Sequence, residues 1–208
     1  MAIKAVIFDM GGVLLDAVNY KYFRKMEGLT NTDEKTIRNF IVSLLVDYES
    51  GNMTKHEFES RIAKRFGIKE SEVKWPIFLY DNGKVKKDMV SLAKKLSKRY
   101  KIACITNVDK SRYYYAKSLI DYGIFRFVLA SCYFGVSKPD KRIYLEALRR
   151  LNVKPSEAVF IDDMEVNVKG ARKAGINAIR FKGINGLMKD LKKYGIEAGV
   201  GHKSIPTQ

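Results

Sequence analysis

An apolar run near the start of the chain ends abruptly in a carboxylate. Residues 5–8 are all apolar, Asp9 follows them directly, and Gly11 and Gly12 come next. A short continuous apolar run is typical of a strand buried on both faces, as in the middle of a parallel sheet. Paired glycines permit a tight loop after it. The sequence therefore predicts a buried strand that delivers Asp9 to a loop at the edge of a sheet.

A second apolar run ends in the same way. Residues 158–161 are apolar and lead into Asp162 and Asp163, and a helix is predicted over 164–174. Open parallel sheets bind ligands at the carboxyl ends of their strands. Carboxylates gathered at that edge would hold Mg²⁺ or act on a phosphoryl group. The alternative is that all three acids are solvated turn residues.

Strands and helices are predicted to alternate from about residue 85 onward. Such alternation indicates βαβ units and an α/β fold with a doubly wound parallel sheet. The predicted helices lie over 88–100, 110–121, 140–151, 164–174 and 186–194, and the predicted strands over 102–106, 127–130, 158–161 and 178–181.

The segment between Asp16 and residue 85 interrupts this alternation. Helices are predicted there over 32–48 and 54–66, with Thr54 and Glu57 as a capping box. We therefore expect an α/β core domain over 1–16 and 85–208, with a helical cap domain over 17–84 inserted into it. The polar, glycine-rich sequence from residue 195 predicts a loose tail.

Composition excludes several classes of protein. With 46% hydrophobic residues the chain has enough apolar surface for a folded core. The start shows no signal-peptide pattern, and no apolar run approaches the roughly 20 residues that span a bilayer, so we expect a cytoplasmic protein without membrane contact. Cys104 and Cys132 are expected to be buried free thiols. With only two histidines, His56 and His202, a zinc site is not expected.

The net charge of +16 is unevenly distributed. Residues 17–84 carry 12 Lys and Arg against 10 Asp and Glu, so an excess of +14 lies outside the predicted cap. Much of it occupies predicted helices, where solvated faces are the ordinary interpretation. We therefore expect anionic small substrates rather than nucleic acid to be the partners. The sequence does not indicate the oligomeric state.

Four groups of polar residues follow predicted strands or open a helix. Each residue type suits phosphoryl transfer: a carboxylate nucleophile, a hydroxyl and an amide for phosphate oxygens, a lysine for charge, and carboxylates for Mg²⁺. Taken singly they have other interpretations, a turn for Thr106 and Asn107, a surface charge for Lys138 and a helix N-cap for Asp140. In order, the groups are Asp9, then Thr106-Asn107, then Ser137-Lys138-Pro139-Asp140, and then Asp162-Asp163.

This set resembles the four motifs of the haloacid dehalogenase superfamily. The matching segments are Phe8-Asp9-Met10-Gly11-Gly12-Val13, Ile105-Thr106-Asn107, Ser137-Lys138-Pro139 and Phe160-Ile161-Asp162-Asp163. The resemblance covers roughly residues 4–16 and 85–182. It implies a Rossmann-like core with an inserted helical cap, and a Mg²⁺-dependent phosphatase that acts on a small phosphorylated metabolite.

The resemblance also implies a role for each motif residue. Asp9 would attack phosphorus to form an aspartyl-phosphate, which water then hydrolyses. Mg²⁺ would be held by Asp9, the carbonyl of Gly11 and Asp163, with Asp162 helping through water. The phosphoryl oxygens would be bound by Thr106 and Asn107, and their charge neutralised by Lys138, with Asn167 orienting Lys138.

One position departs from the family pattern. Phosphatases of this superfamily usually carry a general-acid aspartate two residues after the nucleophile, and here that position is Gly11. Asp16 is the nearest substitute in sequence. An Asp-x-Gly first motif is similar to that of a branch that resembles sugar-1-phosphate phosphatases, whose leaving group is comparatively good. Two alternatives stay open: a 2-haloacid dehalogenase, disfavoured by the paired acids Asp162 and Asp163, and a non-catalytic binding protein.

Overall fold

A computed structural model describes residues 2–16, 21–75 and 84–197. Its centre is a sheet of five parallel strands in the order β3-β2-β1-β4-β5. The predicted α/β fold with a parallel sheet is therefore confirmed. The strands are β1 (Ala5–Phe8), β2 (Lys101–Thr106), β3 (Val128–Ala130), β4 (Ala158–Asp162) and β5 (Asn177–Arg180).

Helices occupy much of the rest of the described chain. The first four, which follow β1, are α1 (Lys21–Thr30), α2 (Glu34–Glu49), α3 (Lys55–Phe66) and the short α4 (Glu70–Val73). The others are α5 (Lys87–Leu96), α6 (Lys110–Leu119), α7 (Ser131–Phe134), α8 (Lys141–Leu151), α9 (Glu165–Lys173) and α10 (Ile184–Lys193).

Both faces of the sheet are covered by helices. Alternate residues of β1 point to opposite faces, so Val6 and Phe8 pack against α5, α6 and α10, while Ala5 and Ile7 pack against α8 and α9. Every residue of β1 is fully buried, as its continuous apolar sequence predicts. Asp9 is therefore the first polar side chain after a strand that has no exposed face.

Helices α1 to α4 have an apolar core of their own. Tyr22, Phe58 and Trp75 are almost completely buried in it, and Trp75 contacts Tyr22 edge-on at 5.1 Å between ring centroids. The predicted capping box of Thr54 and Glu57 is present at the start of α3. Helix α1 was not predicted from the sequence. We call residues 21–75 the helical segment.

The cysteines, the N-cap of α8 and the helix ends can also be compared with their predictions. Cys104 and Cys132 are buried free thiols, and Asp140 is the N-cap of α8, as predicted. Predicted helix ends deviate by a few residues, most at α5, which ends at Leu96 because 97–100 form turns. Among the described helices, none combines the length and apolarity needed to cross a bilayer. Most of the predicted tail lies outside the described residues.

Candidate active site

The ammonium group of Lys138 lies at the carboxyl edge of the sheet between two acids. Its Nζ atom is 2.7 Å from Oδ1 of Asp9 and 2.7 Å from Oδ2 of Asp162. It also donates to the carbonyl oxygen of Ile105, at 3.2 Å. Since an ammonium has three N–H donors, these three acceptors use all of them. The Lys138 side chain is only 1% exposed, so this is a fixed, buried cation.

Asp162 anchors this cation from β4. Both of its carboxylate oxygens accept from Nδ2 of Asn167 at 3.1 Å, and Oδ1 also accepts from the backbone N–H of Met164 at 2.8 Å. The sequence-based expectation was that Asn167 orients Lys138. In the structure Asn167 donates to Asp162, whose carboxylate in turn accepts from Lys138.

Asn107 holds the backbone of Lys138 in place. Its Oδ1 accepts from the Lys138 N–H at 2.8 Å, and its Nδ2 donates to the Lys138 carbonyl at 2.9 Å. The resemblance implied that Asn107 binds phosphoryl oxygens, but the structure shows its side chain engaged with Lys138. Thr106, at the end of β2, is 4% exposed. The loops after β2 and before α8 are thus joined at the site.

Three carboxylates converge at this edge. One oxygen from each of Asp9, Asp162 and Asp163 lies within 4.8 Å of the others. Hard oxygen donors at this spacing fit a divalent cation such as Mg²⁺. Asp163 fits that role best, because it is only partly buried and no side chain among the described residues donates to its carboxylate. Asp162 fits less well as a direct ligand, since its oxygens already accept hydrogen bonds from the protein.

The two glycines after Asp9 have different surroundings. A Cβ on Gly12 would lie 2.2 Å from Oδ2 of Asp163, and Gly12 has a φ of +75°, so this position requires glycine. Gly11 is exposed, and a Cβ there would meet nothing within 4 Å. Asp16, considered as a substitute acid, has an exposed side chain. The position of the missing acid is therefore sterically open.

Burial controls the electrostatics of the site. Desolvation raises the pKa of Asp9 to about 8, although the charge of Lys138 opposes the shift. Burial disfavours the ammonium of Lys138, but the charges of Asp9 and Asp162 outweigh this and raise its pKa. Burial, and then the charge of Asp162, raise the pKa of Asp163. A divalent cation beside Asp9 and Asp163 would favour their ionised forms.

Close packing behind the site fixes the loop that carries Lys138. A Cβ on Gly170 of α9 would lie 2.7 Å from Cβ of Pro139, so the helix touches the residue after Lys138. The hydroxyl of Tyr144 donates to the carbonyl of Asn167 at 2.8 Å. Neither contact was predicted, because each joins residues more than 20 positions apart without a local pattern.

The helical segment touches the core beside the same loops. The guanidinium of Arg112, on α6, pairs with the Glu49 carboxylate at the end of α2 and with Asp109, the N-cap of α6. The Oγ atoms of Ser50 and Ser137 are 2.6 Å apart. Burial raises the pKa of Glu49, and the charge of Arg112 opposes this shift. The sequence does not predict these contacts, because the partners are distant in the chain.

The Arg112 pair is expected to contribute strongly to stability. Replacing Arg112 by Gln leaves Glu49 and Asp109 buried without their cation, which should lower the free energy of unfolding by about 3–5 kcal/mol. Urea unfolding followed by circular dichroism measures the change. The matched control is Arg142→Gln, which breaks an exposed pair with Asp140 and should alter stability little. Equal effects of the two substitutions would show that burial of the Arg112 pair is unimportant.

Comparison with known proteins identifies the family. Residues 3–175 match the sequence model of the hydrolases described as haloacid dehalogenase-like. The chain belongs to the haloacid dehalogenase-like hydrolase family. Asp9, Lys138 and the adjacent acids Asp162 and Asp163 all lie within the matched residues.

Two curated relatives of this haloacid dehalogenase-like hydrolase are named as a hydrolase and as a phosphatase. Flavin mononucleotide hydrolase 1 of Arabidopsis thaliana is 41% identical over 70 residues, which are 34% of this chain and 29% of that protein. The sesquiterpene phosphatase astK of Aspergillus oryzae is 26% identical over 180 residues, covering 83% of this chain and 87% of that protein. The chain thus spans less than a third of the first relative.

A solved structure shows the same fold. A haloacid dehalogenase family enzyme from Bacteroides thetaiotaomicron, crystallised with magnesium and inorganic phosphate, superposes with a TM-score of 0.70 at 22% identity. The similarity covers 87% of this chain and 95% of that one. At this level of identity the similarity establishes only the α/β architecture of the hydrolase.

Proposed function

We propose that this hydrolase is a Mg²⁺-dependent phosphatase that cleaves a small soluble phosphomonoester, such as a sugar phosphate, through an aspartyl-phosphate on Asp9. The observation that carries the proposal is the buried cation of Lys138, held against Asp9 by Asp162 and next to Asp163. A fixed cation beside a carboxylate suits a reaction in which negative charge develops on phosphoryl oxygens. The relatives named flavin mononucleotide hydrolase and sesquiterpene phosphatase support the same class of reaction.

The proposed reaction has two steps on Asp9. A carboxylate oxygen of Asp9 attacks phosphorus, the aspartyl–phosphorus bond forms, and the bond to the leaving alcohol breaks with a proton taken from water. Water then attacks the phosphorus, inorganic phosphate departs, and the Asp9 carboxylate is restored. Lys138 stays protonated throughout, because Asp9 and Asp162 raise its pKa.

The metal would be held by Asp9, the Gly11 carbonyl and Asp163, with Asp162 behind them. It would neutralise the charge of the nucleophile and phosphate when bound. Gly12 supports this assignment, since its missing side chain leaves room for the Asp163 carboxylate.

We further propose that residues 17–84 form a cap domain on a core of 1–16 and 85–208. The separate apolar core of the helical segment and its contacts at Arg112 and Ser137 support this division. A cap that covers the site would exclude water during the first step.

The buried free thiols Cys104 and Cys132 support a cytoplasmic location, where cysteines stay reduced.

The absence of an acid at Gly11 leads to a gain-of-function prediction. Gly11→Asp adds a carboxyl group at a position with free space, so the fold should tolerate it. Turnover of an alkyl phosphate such as glycerol phosphate should rise by about 10²-fold, within the usual range for a positioned general acid. Turnover of p-nitrophenyl phosphate should change little, because its leaving group needs no proton. Steady-state kinetics on both esters measure the difference, and an equal change on both would refute the acid role.

The test of the proposed function is phosphate release from sugar phosphates, nucleotides and p-nitrophenyl phosphate, with Mg²⁺ and with EDTA. Turnover that requires Mg²⁺ is expected, and the best substrate would name the class. Halide release from a 2-haloacid that persists in EDTA would instead establish a dehalogenase. No turnover on any ester, in protein that binds Mg²⁺, would overturn the proposal in favour of a binding protein.

A further inference from the structure

Residues 14–16, which follow β1, pair through backbone hydrogen bonds with residues 84–86, which precede α5. The N–H of Asp16 donates to the carbonyl of Lys84 at 3.0 Å, and the N–H of Lys86 donates to the carbonyl of Leu14 at 2.9 Å. Leu15 and Val85 form an antiparallel bridge between them. Lys86 is therefore fixed beside the loop that follows the proposed nucleophile.

The side chain of Lys86 reaches back to that loop. Its Nζ atom donates to the carbonyl of Gly12 at 2.8 Å and lies 5.2 Å from the ring centroid of Phe181. The backbone N–H of Phe181 in turn donates to the carbonyl of Asp162, at 2.8 Å. The ammonium is thus held between the loop after β1 and the residue that follows β5.

Gly12, whose carbonyl accepts from Lys86, also packs against Asp163. A Cβ on Gly12 would lie 2.2 Å from Oδ2 of Asp163, so the carboxylate occupies the space that a side chain would need. Lys86, Gly12, Asp163 and Phe181 all line one open cavity of about 430 Å³. A shift of the Gly12 carbonyl would therefore change the space that the carboxylate occupies.

We propose that Lys86 is a positioning residue for the divalent cation, which it serves by fixing Gly12 against Asp163. The inference rests on the proposed metal-dependent function. In this role Lys86 strengthens cation binding, whereas its positive charge alone would weaken it. A positive charge near Asp163 opposes cation binding, so a lysine that acted only through its charge would weaken binding, and its removal would strengthen it.

The test compares two neutralising substitutions in the same cavity. Lys86→Met removes the charge and the hydrogen bond to Gly12, whereas Lys182→Met removes an exposed charge that lines the cavity. Mg²⁺ affinity is measured by calorimetry on the whole chain, without substrate. We expect Lys86→Met to weaken Mg²⁺ binding about 10-fold or more, as for other groups that orient metal ligands. Lys182→Met should leave binding unchanged or slightly tighter.

Lys86→Arg provides the rescue. Arginine keeps a charged donor for the Gly12 carbonyl, so it should recover most of the Mg²⁺ affinity, which also excludes a folding defect common to all changes at this position. Binding by Lys86→Met that equals or exceeds that of the wild type would overturn the role of Lys86 and leave the phosphatase proposal standing. A wild-type protein that binds no Mg²⁺ would instead overturn the proposed metal-dependent function itself.

Discussion

Replacing Asp9 by asparagine should reduce Mg²⁺-dependent phosphate release by about 10⁴-fold or more, the usual loss when a nucleophile is removed. Asparagine has the same shape and keeps an oxygen that can accept from the Met10 N–H, which donates to Asp9 at 2.7 Å. The asparagine amide cannot form an acyl phosphate with the substrate. Burial also raises the pKa of Asp9 to about 8, so a neutral side chain is tolerated here. We therefore expect folding to survive while turnover is lost.

The matched control for this substitution is Asp16→Asn. Asp16 lies seven residues further along the same loop and has an exposed side chain. Its replacement should leave kcat within a few-fold of the wild-type value. Phosphate release and thermal unfolding are measured for both variants. Turnover by Asp9→Asn within tenfold of the wild-type rate would place the nucleophile elsewhere.

Replacing Lys138 by methionine should affect both stability and turnover. Methionine keeps most of the side-chain length but leaves Asp9 and Asp162 buried without their cation, which should cost about 3–5 kcal/mol. The loss should be smaller at pH 5 than at pH 8, because the unpaired acids can then take up protons. Turnover should fall by about 10³-fold, as expected when a fixed charge beside the reacting group is removed.

Lys141→Met is the control for this prediction. Lys141 is exposed in the first turn of α8, three residues after Lys138. Urea unfolding at both pH values, with phosphate release at neutral pH, separates the two effects. If Lys138→Met were as stable as Lys141→Met at pH 8, the ion pairs of Lys138 would contribute nothing to folding.

The strand-end residues could be predicted because their geometry follows from local sequence. An apolar run that ends in an acid predicts a buried parallel strand, and parallel strands deliver their last residues to one edge. The sequence alone therefore places Asp9, Thr106 and Asp162 at one edge of the sheet. The N-cap role of Asp140 follows from local hydrogen bonding in the same way.

The supporting contacts could not be predicted, because they join residues that have no common local pattern. The side-chain amide of Asn107 bonds to the backbone of Lys138, which becomes adjacent only after folding, while its contact with phosphate stays a prediction. Lys86 resembles many other lysines of this basic chain until its position beside Gly12 is seen. Helix α1 was missed although Tyr22 and Met26 recur at helical spacing along it.

The paired backbone at Leu15 and Val85 makes the two ends of the inserted segment neighbours. A chain whose ends meet can be shortened or lengthened at a small entropic cost, since closure entropy changes slowly with loop length. Natural or designed exchange of residues 17–83 would therefore leave the sheet and its carboxylates in place. Among the described residues, a transplanted segment would need to match at least Arg112, Ser131 and Ser137, which contact Glu49 and Ser50 in the present chain. Such chimaeras would test whether the inserted segment sets the substrate specificity of the hydrolase.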